Sequence, residues 1–336
     1  MENHVTAAPL YYLGLETGGT KAVATILGPA CRKLATREAS RPEGATAQDT
    51  VIQLIGLAHA VQRDAGLSHP AQAVGWGFGG PVDRRHNRPA KNFHEPGWET
   101  LAPDPAMQLA DALQAPVFVE NDCNVAALAE AHLGAGATEG LTFYLTLGSG
   151  VGGGIVWHGR ILDSGPMGEG EVGHMSLVEH GATCACGKRG CVEAYCSGWG
   201  VGERAMEAIQ AASHPTRLMQ SILAAEARDR AKLLFAAWPD DPFAAAQTDT
   251  FLNHLADACA NVALLLAPRN FVIGGGLAQL PWLITELLPR IESRLPELMR
   301  GHIEVSVAQL GAASVSCGAA LYARHRIEMI RDGRSR

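Results

Sequence analysis

The sequence predicts an α/β protein of two lobes with a ligand cleft between them. Three observations lead there. A strand–glycine loop–strand pattern occurs twice, at Gly14 to Leu27 and at Leu141 to Val156. Strand plus hairpin plus helix, repeated, describes two similar lobes. The glycines, 38 of 336 residues, cluster at strand ends, where backbone must approach something closely. Ligands of open α/β sheets bind outside the carboxyl ends of the strands. The first lobe is expected over residues 1–122, completed by a C-terminal helix near 312–336. The second, larger lobe is expected over 123–311.

The elements follow in order. "YYLGLETGGTKAVATILG" reads as strand, glycine turn, strand. "TVIQLIGLAHAVQRDAG" has helical spacing at Val51, Leu54, Ile55, Ala58 and Val61, and stops at Gly66. "QAVGWGFGGPVD" is a short strand entering a Gly/Pro loop. "PVFVENDCNVAALAEAHLGAG" is an apolar strand, a polar turn and an Ala-rich helix starting near Asp122. "LTFYLTLGSGVGGGIVWHGRIL" is a glycine-rich hairpin. From about Gly198 to Pro268 the chain is mainly helical. "FVIGGGLA" is a strand into a glycine turn, and "HIEVSVAQL" and "SVSCGAALYARHRIEMI" close the chain as strand and helix.

Bulk properties exclude several classes. With 47% apolar and 18% charged residues the chain is globular, not disordered. A formal charge of -7 argues against a broad nucleic-acid surface, which needs a basic excess. The start has no basic segment followed by an apolar one, and no run of 18 apolar residues occurs, so neither a secretory signal nor a membrane span is expected. The expected compartment is the cytoplasm, where the eight cysteines stay reduced. Cys31, Cys123, Cys196, Cys259 and Cys317 are isolated or sit in apolar runs and are expected as small core residues.

Three kinds of stretch carry chemistry: glycine loops, an acid at a strand end and a Cys/His segment. "TGGTK" (Gly18, Gly19, Thr20, Lys21) and "GSGVGGG" (Gly148, Ser149, Gly150 onward) offer backbone N–H groups that can cradle phosphate oxygens, and "IGGG" (Gly274, Gly275, Gly276) closes a third strand in a glycine turn. Each alone is explained by a tight turn. Three at lobe edges suggest a bound nucleotide. "VENDCN" sets Asn121 and Asp122 where a strand ends and a helix begins. Either residue is a good helix N-cap, and Asp122 is equally placed to take a proton from a substrate hydroxyl. Local sequence leaves both open. Finally, His174, Cys184, Cys186 and Cys191 form a Cys₃His set within "EVGHMSLVEHGATCACGKRGCVEAY". An odd trio of thiols in a reducing compartment argues against disulfides. Four protein ligands fill a tetrahedral Zn²⁺, so the metal is expected to be structural.

Together these segments resemble the repressor, open-reading-frame, kinase (ROK) family of sugar kinases and related repressors, from about Leu13 to Ala323. The resemblance rests on "GLETGGTK", "GFGGPVD", "VENDCNVAALAE", "TLGSGVGGG", "GEVGHMSL", "CACGKRGCVEAYCSG" and "VIGGGLA". It implies an actin/hexokinase-like (ribonuclease H-like) fold with MgATP and a hexose in the cleft. It implies Asp122 as general base. It also implies Asn121, Glu171, His174 and Glu193 as ligands of sugar hydroxyls, with Gly80 and Asn92 lining the same pocket. The glycine loops take ATP, and His174, Cys184, Cys186 and Cys191 take zinc. One ring nitrogen of His174 would bind the metal while the other meets the sugar. A homodimer or higher homo-oligomer is expected, with no nucleic-acid or membrane partner.

The sequence departs from the family pattern at Glu16, where Asp is usual near the magnesium-bound phosphates, and in "GAASVSCGAA", which lacks the commoner acidic residue. Glucose is the expected substrate. Fructose, mannose, N-acetylglucosamine and N-acetylmannosamine are alternatives, as is polyphosphate for the donor. The repressor branch of the family needs a helix-turn-helix, for which the 12 residues ahead of Leu13 are too few.

Overall fold

The computed structural model describes residues 10–90, 97–165 and 168–333. The chain divides into two compact units. One comprises Met1–Gly134, Gly154–Glu169 and Leu310–Arg336, and the other Ala135–Gly153 and Gly170–Gln309. The helix beginning at Asp122 thus stays with the first unit instead of opening the second, because it packs on the C-terminal helix. Residues 154–169 also return to the first unit.

The first unit is built on a five-stranded sheet. β1 (Tyr12–Thr17) turns through TGGTK into antiparallel β2 (Lys21–Leu27), which pairs with antiparallel β3 (Lys33–Ser40). α1 (Ala47–Asp64) follows, opened by a capping box between Thr46 and Asp49. β4 (Ala73–Phe78) runs parallel to β1. A two-strand ribbon, β5 (Val82–Asp83) with β6 (Arg88–Pro89), leads to α2 (Pro105–Leu113). β7 (Val117–Asn121) then pairs parallel with β4 and runs into α3 (Asp122–Leu133). The strand order is β3-β2-β1-β4-β7.

One face of this sheet is covered by α1 and α2. Trp76 is fully buried there, with ring centroids 5.5 Å from both Phe78 and Trp98, and its Nε1–H donates to Thr17 Oγ1 at 3.1 Å. The other face receives the C-terminal helix at backbone distance. Gly14 and Gly75 are register partners on β1 and β4. A Cβ on Gly14 would lie 1.8 Å from Ser316 O, and one on Gly75 would lie 1.8 Å from Ala319 O. The small residues of "SVSCGAA" let the helix sit there, which gives that unusual segment a packing reason.

The second sheet repeats the plan. β8 (Leu141–Leu147), β9 (Val151–Trp157) and β10 (Arg160–Ile161) are followed by five helices. These are α4 (Glu193–Cys196), α5 (Gly198–Gln210), α6 (Arg217–Ala224), α7 (Ala227–Ala236) and α8 (Pro242–Leu266). β11 (Asn270–Gly274), α9 (Leu283–Arg294), β12 (Glu304–Val307) and α10 (Ser314–Arg331) complete the chain. The strand order β10-β9-β8-β11-β12 matches the first sheet position by position, with β11 parallel to both β8 and β12. The twofold echo read in the sequence is therefore a topological repeat.

Five elements escaped the sequence reading: β3, β5, β6, α2 and α9. β3 is largely exposed and shows no alternation; the β5–β6 ribbon has two residues per strand. α2 is short, and α9 contains Pro289. Cys196, Cys259 and Cys317 are buried as expected, but Cys31 and Cys123 are only half-buried. Cys31 sits in a turn at φ 58°, its Sγ 3.2 Å from Arg324 Nη1, and Cys123 lies in the first turn of α3. No helix among the described residues is long and apolar enough to cross a membrane.

Candidate active site

The first unit assembles its part of the site where β1, β4 and β7 end. A Cβ placed on Gly79 would come 2.9 Å from Thr17 O and 3.6 Å from Asp122 Oδ2, so the three strand ends converge. At the β7–α3 turn the roles of the two polar residues separate. Asn121 is the N-cap: its Oδ1 accepts from Cys123 N at 2.9 Å and Asn124 N at 3.3 Å. Its amide also donates to Gly80 O at 3.2 Å, which brings Gly80 to the turn. Asp122 is the first helical residue, half-buried, and its Oδ1 accepts from Cys123 N at 2.8 Å.

Glu16 lies at the end of β1 and is 8% exposed. Burial pushes its carboxyl up to about 7, against the pull of Lys21 and helped by the charge of Asp122. Its Oε2 is buried and has no hydrogen-bond partner among the described residues. An orphaned carboxylate oxygen beside a glycine turn suits a hard cation such as Mg²⁺. In that turn Gly18 N donates to Lys21 O at 2.9 Å. Arg41 clamps it from behind, donating from Nη1 to Gly18 O and from its backbone N to Thr20 O, both at 2.9 Å. A trans peptide sets its C=O and N–H on opposite sides, so the clamp turns the Gly19 N–H away from Arg41. Lys21 Nζ donates to Glu38 at 2.9 Å.

The second unit gathers the remaining glycine loops. Gly148 N donates to Gly150 O at 3.0 Å in the β8–β9 turn, and Gly198 N at the start of α5 donates to Gly148 O at 2.8 Å. Gly275, at φ 85°, closes β11 against β8; a Cβ there would stand 2.3 Å from Leu147 O. Gly148–Gly150 and Gly274–Gly276 thus meet at one end of the sheet. Glu193 joins this group. Its Oε2 accepts from Val151 N at 3.0 Å, and its Oε1 lies 3.7 Å from Cys184 Sγ.

That contact leads to the Cys/His loop. The donor atoms of His174, Cys184, Cys186 and Cys191 all lie within 4.8 Å of one another. Zn–S bonds of about 2.3 Å in a tetrahedron put sulfurs about 3.8 Å apart; Cys186 Sγ and Cys191 Sγ are 3.8 Å apart. His174 turns Nδ1 to Cys184 Sγ at 3.8 Å and Nε2 to Glu171 Oε2 at 4.0 Å, so one nitrogen faces the thiols and the other faces away. Burial pushes the Cys184 thiol up to about 12, so a thiolate there calls for a cation beside it. Local bonds shape the loop: Cys184 N to Lys188 O at 2.8 Å, Lys188 Nζ to His174 O at 2.9 Å, and Ala182 N to Tyr195 Oη at 2.7 Å. The residues fit Zn²⁺.

Of the residues singled out from sequence, Glu16, Gly18–Lys21, Gly80, Asn121 and Asp122 fall in the first unit. Gly148–Gly150, Glu171, His174, the three cysteines, Glu193 and Gly274–Gly276 fall in the second. Asn92 lies outside the described residues. Sequence reasoning missed Arg84, Glu120 and Glu169, which form a buried ion cluster behind Asn121. A signal existed: Glu120 stands in the apolar strand "VFVEN", and a carboxylate there requires a cation.

The ROK family profile matches residues 12–326. A glucokinase of Halalkalibacterium halodurans is 33% identical over 284 residues, covering 80% of this chain and 81% of that protein. Among solved structures, the ROK hexokinase from Thermus thermophilus superposes with a TM-score of 0.79 at 30% identity, covering 95% of this chain and 99% of that one. A ROK family glucokinase from Streptomyces griseus, solved with glucose and AMPPNP, gives 0.72 at 27% identity over 94% and 99% of the two chains.

Proposed function

This chain belongs to the ROK family and is a sugar kinase with the actin/hexokinase-like fold, and we propose that it moves the γ-phosphoryl group of ATP onto a hexose hydroxyl, glucose first, with Asp122 as general base. The observation that carries this reading is the division of labour at the β7–α3 turn. Asn121 is the N-cap, bonded to Cys123 N and Asn124 N, and Asp122 only shares the Cys123 N–H through Oδ1, so the helix does not require its carboxylate. That carboxylate stands instead beside Glu16 and the glycine loop after β4.

In the reaction the sugar hydroxyl oxygen attacks the γ-phosphorus while the bond to the β,γ-bridging oxygen breaks. The bridging oxygen keeps the electron pair and leaves on ADP. The hydroxyl proton passes to Asp122. General-base help of this kind is worth about 10²–10⁴ in rate. Positioning supplies much of the rest, because the transition state is loose. The glycine turns Gly18–Thr20 and Gly148–Gly150 hold the phosphates, the first through N–H groups such as that of Gly19, and Gly274–Gly276 lies near the adenine and ribose. Glu16 would hold Mg²⁺ with the phosphates, where the ion supplies charge neutralisation. Asn121, Glu171, His174 and Glu193 bind sugar hydroxyls, with Gly80 lining the pocket. Asn92, outside the described residues, keeps its place in this proposal through the resemblance alone. His174, Cys184, Cys186 and Cys191 would hold a structural Zn²⁺ that fixes the aim of His174.

A coupled ADP-release assay over a panel of hexoses and N-acetylhexosamines tests the reading. Glucose should give the highest kcat/KM. A higher value for an N-acetylhexosamine would replace the substrate assignment, and no ADP above background with any sugar would remove the kinase assignment.

A further inference from the structure

We propose that Arg84 is a positioning residue for the general base, clamping the β7–α3 turn through Glu120 so that Asp122 is presented at a fixed place. The proposal rests on the kinase reading above. Its structural part stands on the first unit alone.

Glu120 is 1% exposed although it stands on β7, the edge strand of the first sheet, one residue from that strand's end. Its Oε1 accepts three N–H groups: Asn121 backbone N at 2.9 Å, Asn124 Nδ2 at 3.1 Å and Arg84 Nη2 at 3.1 Å. Its Oε2 accepts from Arg84 Nε at 2.8 Å. The carboxylate thus folds over the start of α3 and ties the backbone N–H of Asn121, the residue before Asp122, to the side chain of Asn124 in the helix's first turn. The paired guanidinium bonds fix the plane of that carboxylate. Arg84 has a third bond, from Nη1 to Glu169 Oε2 at 2.7 Å. The other oxygen of Glu169 accepts from Ser164 Oγ and Gly165 N, both at 2.8 Å. One guanidinium, its side chain 8% exposed, therefore joins the ribbon after β4, the end of β7 and Glu169 with its partners Ser164 and Gly165. The bond from Asn121 to Gly80 adds a second tie between the same loop and the same turn.

Neutralising Glu120 needs only a positive charge. Holding its plane while reaching Glu169 needs a planar fork, which lysine cannot supply. The two roles make different forecasts for Arg84→Lys. Under the clamp, kcat falls at least tenfold while KM for ATP and for sugar stays within twofold, and the melting temperature moves little. Backbone amides of residues 121–124 exchange with deuterium at least tenfold faster than in the wild type. Wild-type kcat together with wild-type exchange overturns the proposal. The double variant Arg84→Met/Glu120→Gln removes both buried charges and guards against a misfolded single variant. It should stay folded yet remain at least tenfold slow with faster exchange at 121–124; full turnover in it would reduce Arg84 to a counter-ion and overturn the clamp. Exchange is read without substrate. If the wild type releases no ADP with any sugar, the kinase reading fails, while the exchange comparison still decides the clamp.

Discussion

Around Asp122 the neighbouring groups come from the ends of three strands that are far apart in sequence, backed by an ion cluster of Arg84, Glu120 and Glu169. Around His174 nearly everything comes from one stretch, Glu171 to Tyr195, whose own apolar cluster is built on Cys184, Cys191 and Ala194, with Val172 and Val192 buried beside them in sequence. The first region inherits its rigidity from a sheet packed on both faces. The second has a small core, and the bonds by which Lys188 and Arg189 tie it together are exposed. A cross-link must do for the loop what long-range packing does for the turn, and the Cys₃His set is built for it.

The comparison can be pushed from the loop side first, where the effect on stability should be largest. Cys184→Ala removes one of four ligands from a site whose metal contributes on the order of 10 kcal/mol to folding in small zinc modules. Metal analysis should find about one zinc per chain in the wild type and much less in the variant. Sugar affinity and the melting temperature should drop together. A variant without zinc that binds sugar like the wild type would separate the staple from the site.

On the turn side, Gly75→Ala attacks the packing that replaces the metal. Its methyl would meet Ala319 O, which cannot withdraw without moving α10. Overpacking of this kind costs about 1–3 kcal/mol, measurable by urea unfolding. Zinc content should be unchanged, and a stability equal to the wild type would show that α10 is looser than described.

A smaller effect should appear with pH. His325 on α10 is held down to about 4 by burial, and then by the neighbouring His132 on α3, with Arg160 and Arg324 acting the same way and Glu328 opposing. Its folded pKa lies below its ordinary value, so the unfolded chain binds the proton first. Stability should therefore fall as pH drops from about 6.5 towards 4 and level off below. His325→Gln should flatten that slope, read as the difference between the two unfolding curves across the range. Parallel curves would mean that the imidazole is not sheltered.

The same contrast explains what could be read from the chain itself. The gathering of His174, Cys184, Cys186 and Cys191 was legible because the residues are few, chemically distinctive and close in sequence. The strand–glycine–strand repeat was legible because buried strands are apolar and their turns are glycine. The division of labour between Asn121 and Asp122 was not legible, since either side chain caps a helix and only the hydrogen bonds of Asn121 distinguish them. Nor was the partnership of Arg84 with Glu120 and Glu169, which joins residues up to 85 apart in number. Nothing in the sequence explains Gly14 and Gly75 inside their strands; their register and the helix lying on them do.

The central claim is that Asp122 takes the proton and Asn121 holds the helix. Asp122→Asn tests it most directly, with kcat measured beside a melting curve and a sugar titration. Stability should hardly change, because the cap is elsewhere and Asn tolerates the position. Sugar binding should persist, and kcat should fall by about 10²–10⁴, because an amide accepts a hydrogen bond but not the hydroxyl proton. A variant that melts like the wild type and turns over like the wild type would contradict the assignment.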